Sequence, residues 1–293
     1  MTIADETTTA TADVRQPTVT VVPATPTLGA YVEGVDLAQL DDPTWATVEQ
    51  AFAGHSVLFF RDQDLSPDAH EALGRRLGEL HVHPSAPALD GHPNVMIIHA
   101  DENSRVVAGN GWHTDVSCDE RPPMATILHL TTVPPSGGDT LFTSTTAAWE
   151  ALSPAMQSFL RDKQAVHESA HIYAGRYGSR ESESRDGVYP SSVHPIARTH
   201  PVTGETALYV NRAFTTRIDG LEPAESNALL QFLYTHLESV DFQVRFSWEP
   251  GSVAMWDNRV TQHYAVWDYF PHVRHGHRVS IVGERPYHQP TTS

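Results

Sequence analysis

The chain has 293 residues, 19 basic against 36 acidic, and a formal net charge of −17. That excess of negative charge is repelled by phosphate backbones and anionic bilayers, which disfavours nucleic acid and membrane as partners. Hydrophobic residues make up 40% of the chain, enough for a core, and the single cysteine (Cys118) excludes an intramolecular disulfide framework and suits a reducing compartment. No apolar run approaches the roughly 20 residues that span a bilayer, and the acidic N-terminus carries no secretory pattern, so the expected location is cytoplasmic.

Residues 1–18, rich in Thr and Ala, read as a disordered tail, and residues 19–293, with no internal linker, as one domain. Strands are expected at 19–22 and 30–32, then a helix over 43–53 and a strand over 56–60. Ser66-Pro67-Asp68 supplies an N-cap, a proline at the first helical position and an acid in the first turn, which predicts a helix over 67–77. Strands follow at 94–98, 125–132 and, after Ser136-Gly137-Gly138, at 140–143. Helices are expected over 147–163, broken at Pro154, and over 223–237. The last third reads as strands at 193–198, 207–210, 242–248, 253–256 and 278–282, separated by turns such as Glu249-Pro250-Gly251. Pro195 confines the first of these to a sheet edge. Many short strands with helices outside them point to a mainly β fold with flanking helices, an antiparallel barrel or jelly roll.

Eighteen histidines direct the search for chemistry. In Trp112-His113-Thr114-Asp115 an extended backbone would turn His113 and Asp115 to one side. Such a pair is two-thirds of a 2-His-1-carboxylate set that binds non-haem Fe(II) with open positions. Alone, the pair is equally compatible with two solvated loop residues. His263, on a late strand after Trp256-Asp257-Asn258-Arg259, would supply the third ligand. Arg274 and His277-Arg278 follow, and arginine grips carboxylates with two parallel hydrogen bonds. His167-Glu168-Ser169-Ala170-His171 is a literal HExxH, the zinc-hydrolase pattern. Ser169 and the glycines after it make a poor helix, which argues against that reading.

The order of several blocks resembles the TauD/TfdA family of Fe(II)- and 2-oxoglutarate-dependent dioxygenases, its taurine-cleaving members above all. The blocks are Gly29-Ala30, Phe60-Arg61-Asp62-Gln63, Gly78-Glu79-Leu80-His81-Val82-His83-Pro84, Trp112-His113-Thr114-Asp115-Val116, Gly137-Gly138-Asp139-Thr140-Leu141, Phe214-Thr215-Thr216-Arg217 and Trp256-Asp257-Asn258-Arg259-Val260-Thr261-Gln262-His263. The resemblance implies a double-stranded β-helix (jelly-roll, cupin-like) core, with His113, Asp115 and His263 as ligands of Fe(II). It makes Thr140 and Arg274 the residues that hold 2-oxoglutarate, with O2 as second co-substrate. His83 and Arg278 would bind the anion of a small organic substrate, with Phe214 and Val116 beside it. The implied reaction hydroxylates the carbon next to a sulfonate and releases sulfite, succinate and CO2. The same chemistry on an alkyl sulfate or an aryloxy or other carboxylate is the alternative, and a zinc hydrolase built on His167, Glu168 and His171 a remote one. A homo-oligomer, dimer or tetramer, is expected. Three positions depart from the taurine-cleaving pattern: Ala86 stands for a tyrosine, Gly109 for an asparagine and Ser169 for an aromatic residue. These smaller side chains are expected to leave room for a bulkier or less polar substrate tail.

Overall fold

A computed structural model describes residues 19–83, 86–107, 109–173 and 189–289; the expected tail at 1–18 lies outside them. The first half contains β1 (Thr20–Pro23), β2 (Ala30–Glu33), α1 (Asp42–His55), β3 (Val57–Phe60), α2 (Pro67–Leu77), β4 (Leu80–His81), β5 (Ala88–Leu89), β6 (His92–Ala100), β7 (Ala125–Thr132) and β8 (Thr140–Ser144). There follow α3 (Thr145–Glu150), α4 (Pro154–Leu160), β9 (Gln164–Glu168), α5 (Ala170–Tyr173), β10 (Ser191–Pro195), β11 (Ala197–Thr199), β12 (Thr206–Leu208) and β13 (Thr215–Ile218). The chain closes with α6 (Pro223–Leu237), β14 (Gln243–Phe246), β15 (Ser252–Asp257), β16 (Thr261–Ala265) and β17 (Arg274–Ile281).

Two facing sheets form the jelly roll. The larger runs β1-β2-β3-β15-β7-β17-β6-β5, with β4 also on β17; the smaller runs β14-β8-β16. Alternation along β3 shows why Val57-Leu58-Phe59-Phe60 is apolar throughout. Val57 and Phe59 enter the cluster between the sheets, with Leu128, Phe142, Phe246 and Trp256. Leu58 and Phe60 face the opposite way, onto Trp45, Val48 and Phe52 of α1 and Leu73 of α2. A strand buried on both faces loses the polar alternation of a half-exposed one.

The two helices form where their caps place them. Asp41 Oδ1 accepts from Thr44 N at 2.8 Å before α1, and Ser66 Oγ from Ala69 N at 3.2 Å before α2. The helices expected over 147–163 with a break at Pro154 are α3 and α4, which together start two residues earlier and end three residues sooner. Ser153 caps the second, Pro154 opens it, and the chain turns into β9 at Gln164. The strand expected over 193–198 is also split: β10 is the edge of a small sheet ordered β10-β9-β13, and β11 pairs with β12. Among the described residues no helix is long and apolar enough to cross a membrane.

Candidate active site

His113 and His263, far apart in sequence, lie directly opposite each other. His113 N donates to His263 O at 3.1 Å and His263 N to His113 O at 2.9 Å. A residue pair that exchanges both bonds projects its side chains to the same side, and the two imidazoles stand 4.1 Å apart between centroids. Asp115 follows in a turn rather than a strand, with Val116 at φ 43°; Thr114 Oγ1 donates to Thr261 O at 3.1 Å and anchors it. Asp115 Oδ1 thereby lies 3.7 Å from Nε2 of each histidine. Ligand atoms of the three residues fall within 4.8 Å of one another, the one such group among the described residues. His113 Nδ1 lies 2.8 Å from the Gly111 carbonyl, to which it must donate, so its Nε2 is left with a lone pair. Burial holds His113 low, and burial with the neighbouring His113 charge holds His263 well below its usual range. Burial pushes the Asp115 carboxyl up, but Arg278, the two histidines and the Thr126 hydroxyl override it and keep it well below the usual carboxylate range. Two neutral imidazoles and a carboxylate on one side of a cavity are a donor set that a divalent transition metal fits.

Beside this cluster lies a cavity of about 430 Å³. Arg274, the first residue of β17, is 3% exposed. Its Nε donates to Gly138 O at 3.2 Å, while Nη2 has no hydrogen-bond partner among the described residues. A guanidinium left in that state is costly unless an anion completes it. Thr140 Oγ1 accepts from Trp248 Nε1 at 3.0 Å, which leaves its own hydrogen to donate elsewhere. Gly138, at φ 72°, lets the chain pass close by: a Cβ there would meet Pro134 at 3.0 Å and Tyr269 at 3.2 Å. His83, Val116, Phe214 and Arg278 all line the same cavity. Ala86 N donates to His83 Nδ1 at 3.0 Å, and Arg278 holds Asp115 Oδ1 at 2.8 Å. Met96, Val106, Val107, Ile172, Tyr173 and Phe214 give the cavity apolar wall beside Asn110, His171 and Arg212, and Asp115 is the only carboxylate among the described residues that line it.

Residues 20–280 match the profile of the "Taurine catabolism dioxygenase TauD, TfdA family". The chain belongs to the TauD/TfdA family. An alpha-ketoglutarate-dependent sulfonate dioxygenase of Saccharomyces cerevisiae is 38% identical over 275 residues, which span 89% of this chain and 66% of that protein. An alpha-ketoglutarate-dependent sulfate ester dioxygenase of Pseudomonas putida is 37% identical over 268 residues, 88% of each chain. The crystal structure of a taurine dioxygenase from Burkholderia xenovorans superposes with a TM-score of 0.80 at 37% identity, covering 93% of this chain and 92% of that one. The protein is thus a 2-oxoglutarate-dependent dioxygenase.

In this TauD/TfdA dioxygenase the nine residues singled out as ligand, co-substrate or substrate residues all line or border one cavity. The HExxH does not form a site. His167 and Glu168 end a strand, and His171 lies in the four-residue α5. His167 is buried with Nδ1 on Ser117 Oγ at 3.0 Å, whereas His171 Nε2 donates to Ala213 O at 2.6 Å. Of the three smaller residues, Ser169 and Ala86 are not part of the described lining of this cavity. Ser169 is buried away from the cavity, its hydroxyl on Pro190 O at 2.9 Å, and Ala86 lines a small neighbouring recess. Only Gly109 borders the cavity, where a Cβ would come within 3.2 Å of His113 Cε1. Sequence reading assigned no role to Trp248, Thr126 or Asn258, and overlooked Asn110, Arg212 and Tyr173 in the lining. Trp248 alone carried a signal, a tryptophan ahead of a Glu-Pro-Gly turn.

Proposed function

We propose that the protein is an Fe(II) dioxygenase that hydroxylates the carbon bearing a sulfonate, or by the same geometry a sulfate ester, on a substrate with an apolar tail. The observation that carries this is one cavity with a His-Asp-His set, a buried arginine whose Nη2 has no partner among the described residues, and no further carboxylate in the described lining. In this reading His113, Asp115 and His263 hold the metal. Bound together with 2-oxoglutarate and O2, Fe(II) supplies oxidative decarboxylation to succinate and CO2 and the hydroxylation of one C–H bond.

The chain's own residues do the positioning. Arg274 takes the distal carboxylate of 2-oxoglutarate through its fork, and Thr140, its oxygen already engaged by Trp248, donates its hydrogen to the same group. Arg278 and His83 bind the substrate anion; because Arg278 touches Asp115, an anion on its outer edge lies next to the ligand set. Val116, Tyr173 and Phe214, which pack together, keep water from the reacting carbon. Hydroxylation of a carbon bearing sulfonate leaves an adduct that collapses to an aldehyde and sulfite; with a sulfate ester the leaving group is sulfate. The names of the yeast and Pseudomonas relatives cover both leaving groups. Taurine's ammonium would find no carboxylate on the described walls except Asp115, which Arg278 and Thr126 already occupy.

The test is release of sulfite or sulfate from taurine, pentanesulfonate, hexanesulfonate and hexyl sulfate at fixed 2-oxoglutarate. Each methylene buried on the apolar wall is worth about 0.8 kcal/mol, so kcat/KM should climb roughly fourfold per carbon. Taurine as the substrate with the highest kcat/KM would overturn the apolar-tail assignment.

A further inference from the structure

Residues 256–259, the end of β15 and the turn after it, lead into β16, the strand that carries His263, and the proposed reaction gives them no task. Their side chains are buried and interlocked. Asp257 Oδ1 accepts from both Arg259 N and Arg259 Nε at 2.8 Å, and Oδ2 lies 3.1 Å from His200 Nε2. That lock presents the buried Asn258 to β7. Trp256 Nε1 donates to Asn258 Oδ1 at 3.0 Å. An indole N–H can only donate, so the amide orientation is fixed with Nδ2 on the other side. Asn258 Nδ2 in turn donates to Thr126 Oγ1 at 2.9 Å. With that oxygen accepting, the threonine's single hydrogen is aimed at Asp115 Oδ2, 2.8 Å away. The competing partner is Ser280 Oγ at the longer 3.2 Å.

Every donor in the series Trp256, Asn258, Thr126 points the same way, and the series ends on Asp115. It engages Oδ2, whereas Oδ1, held by Arg278 Nη2 at 2.8 Å and equidistant from the two histidine Nε2 atoms, is the oxygen turned to the metal position. We propose that Thr126 and Asn258 are positioning residues that fix Asp115 as a one-oxygen metal ligand, with the 256–259 turn setting their direction. The proposal rests on the reading of His113, Asp115 and His263 as the metal site. Its physical content is that a carboxylate free to rotate, or to bind through both oxygens, would crowd positions that the co-substrates require.

Mn(II) affinity measured by electron paramagnetic resonance tests it without turnover. Thr126→Val keeps the shape and removes the hydroxyl, and Thr126→Ser restores it. The valine variant should bind Mn(II) about 10–100-fold more weakly, the range typical when a partner of a metal ligand is lost. Thr126→Ser should stay close to wild type, and Asn258→Leu should shift in the same direction as valine but less. Wild-type affinity in Thr126→Val overturns the proposal; absence of Mn(II) binding in the wild type overturns the metal-site reading itself and the proposal with it. Should the variants not fold, the crystal structure of the wild-type Mn(II) protein decides. Asp115 bound through one oxygen, with Oδ2 still on Thr126, supports the proposal. Binding through both oxygens, or Thr126 turned to Ser280, overturns it.

Discussion

Replacing Arg274 should change stability and co-substrate binding in opposite directions. The side chain is 3% exposed, Nη2 has no partner among the described residues, and burial lowers its pKa. Three interactions offset its desolvation: the 3.2 Å hydrogen bond to Gly138 O, the Trp248 ring 5.5 Å from Cζ, and the charge of Asp139. A hydrogen bond of this kind contributes about 1.5–3 kcal/mol and a cation–π contact about 1–2. Burying an incompletely paired cation costs several kcal/mol. Cost and compensation nearly cancel, with the deficit on the side of the charge. Arg274→Met, apolar and of similar length, should therefore raise the unfolding temperature without 2-oxoglutarate, by roughly 2–4 °C per kcal/mol recovered. The same variant should lose 2-oxoglutarate binding. Arg274→Lys, a point charge without a fork, forfeits about 1.5–3 kcal/mol, roughly ten- to 150-fold in affinity. Scanning calorimetry without co-substrate and anaerobic titration with 2-oxoglutarate measure the two effects. A methionine variant that is less stable and binds 2-oxoglutarate normally would refute the reasoning.

Metal content separates the two histidine motifs: His113→Ala, Asp115→Ala and His263→Ala should each abolish turnover and deplete bound iron, whereas His167→Ala should retain iron. Full iron and activity after His263→Ala would remove it from the site. His70, buried in α2 with Nε2 donating to Ile127 O, supplies a pH prediction, because burial and the nearby His129 pull it from 6.5 to about 3. The unfolded chain then binds a proton that the folded one refuses, so this contribution is complete above pH 6.5 and declines as pH falls towards 3. The slope is about 1.4 kcal/mol per pH unit. His70→Gln keeps a donor for Ile127 and should flatten the fall in unfolding temperature between pH 6.5 and 4.5; an unaltered profile would show that His70 is not the group responsible.

Local chemistry made much of the fold legible. Ser66-Pro67-Asp68 set the start of α2, and eight residues rich in apolar side chains marked β7 to its ends. Where tertiary pairing decides, sequence fell short. The final strand was expected at 278, yet β17 begins at Arg274, because β6 and β7 pair with it on both sides and absorb an irregularity at His275 and Gly276. The candidate triad was readable because the His113-Asp115 pair and His263 sit in blocks that resemble the family in the same order. Ser169 misled because position in a motif does not reveal where a side chain points. Thr126 and Asn258 were silent for another reason. Both are neutral, Thr126 in an apolar strand and Asn258 in a turn, and they acquire meaning through Thr126's contacts with Asp115 and Asn258.

The net charge of −17 excluded polymeric anions but says little about a small one. A nucleic acid or a bilayer meets the summed field of an entire face, whereas an anion inside the cavity meets what lies within a Debye length, about 8 Å at physiological salt. The described lining holds Arg212, Arg274 and Arg278 against one carboxylate, Asp115. Arg212 is tied to both oxygens of Glu238, and Arg278 is committed to Asp115. What remains is Arg274, 3% exposed, whose Nη2 has no hydrogen-bond partner among the described residues. The strongest pull on an anion therefore comes from the most buried of the three arginines. A substrate anion arriving later meets Arg278, already half-neutralised, and is held more weakly. That gradient favours 2-oxoglutarate binding before the substrate, with the apolar walls left to select the tail.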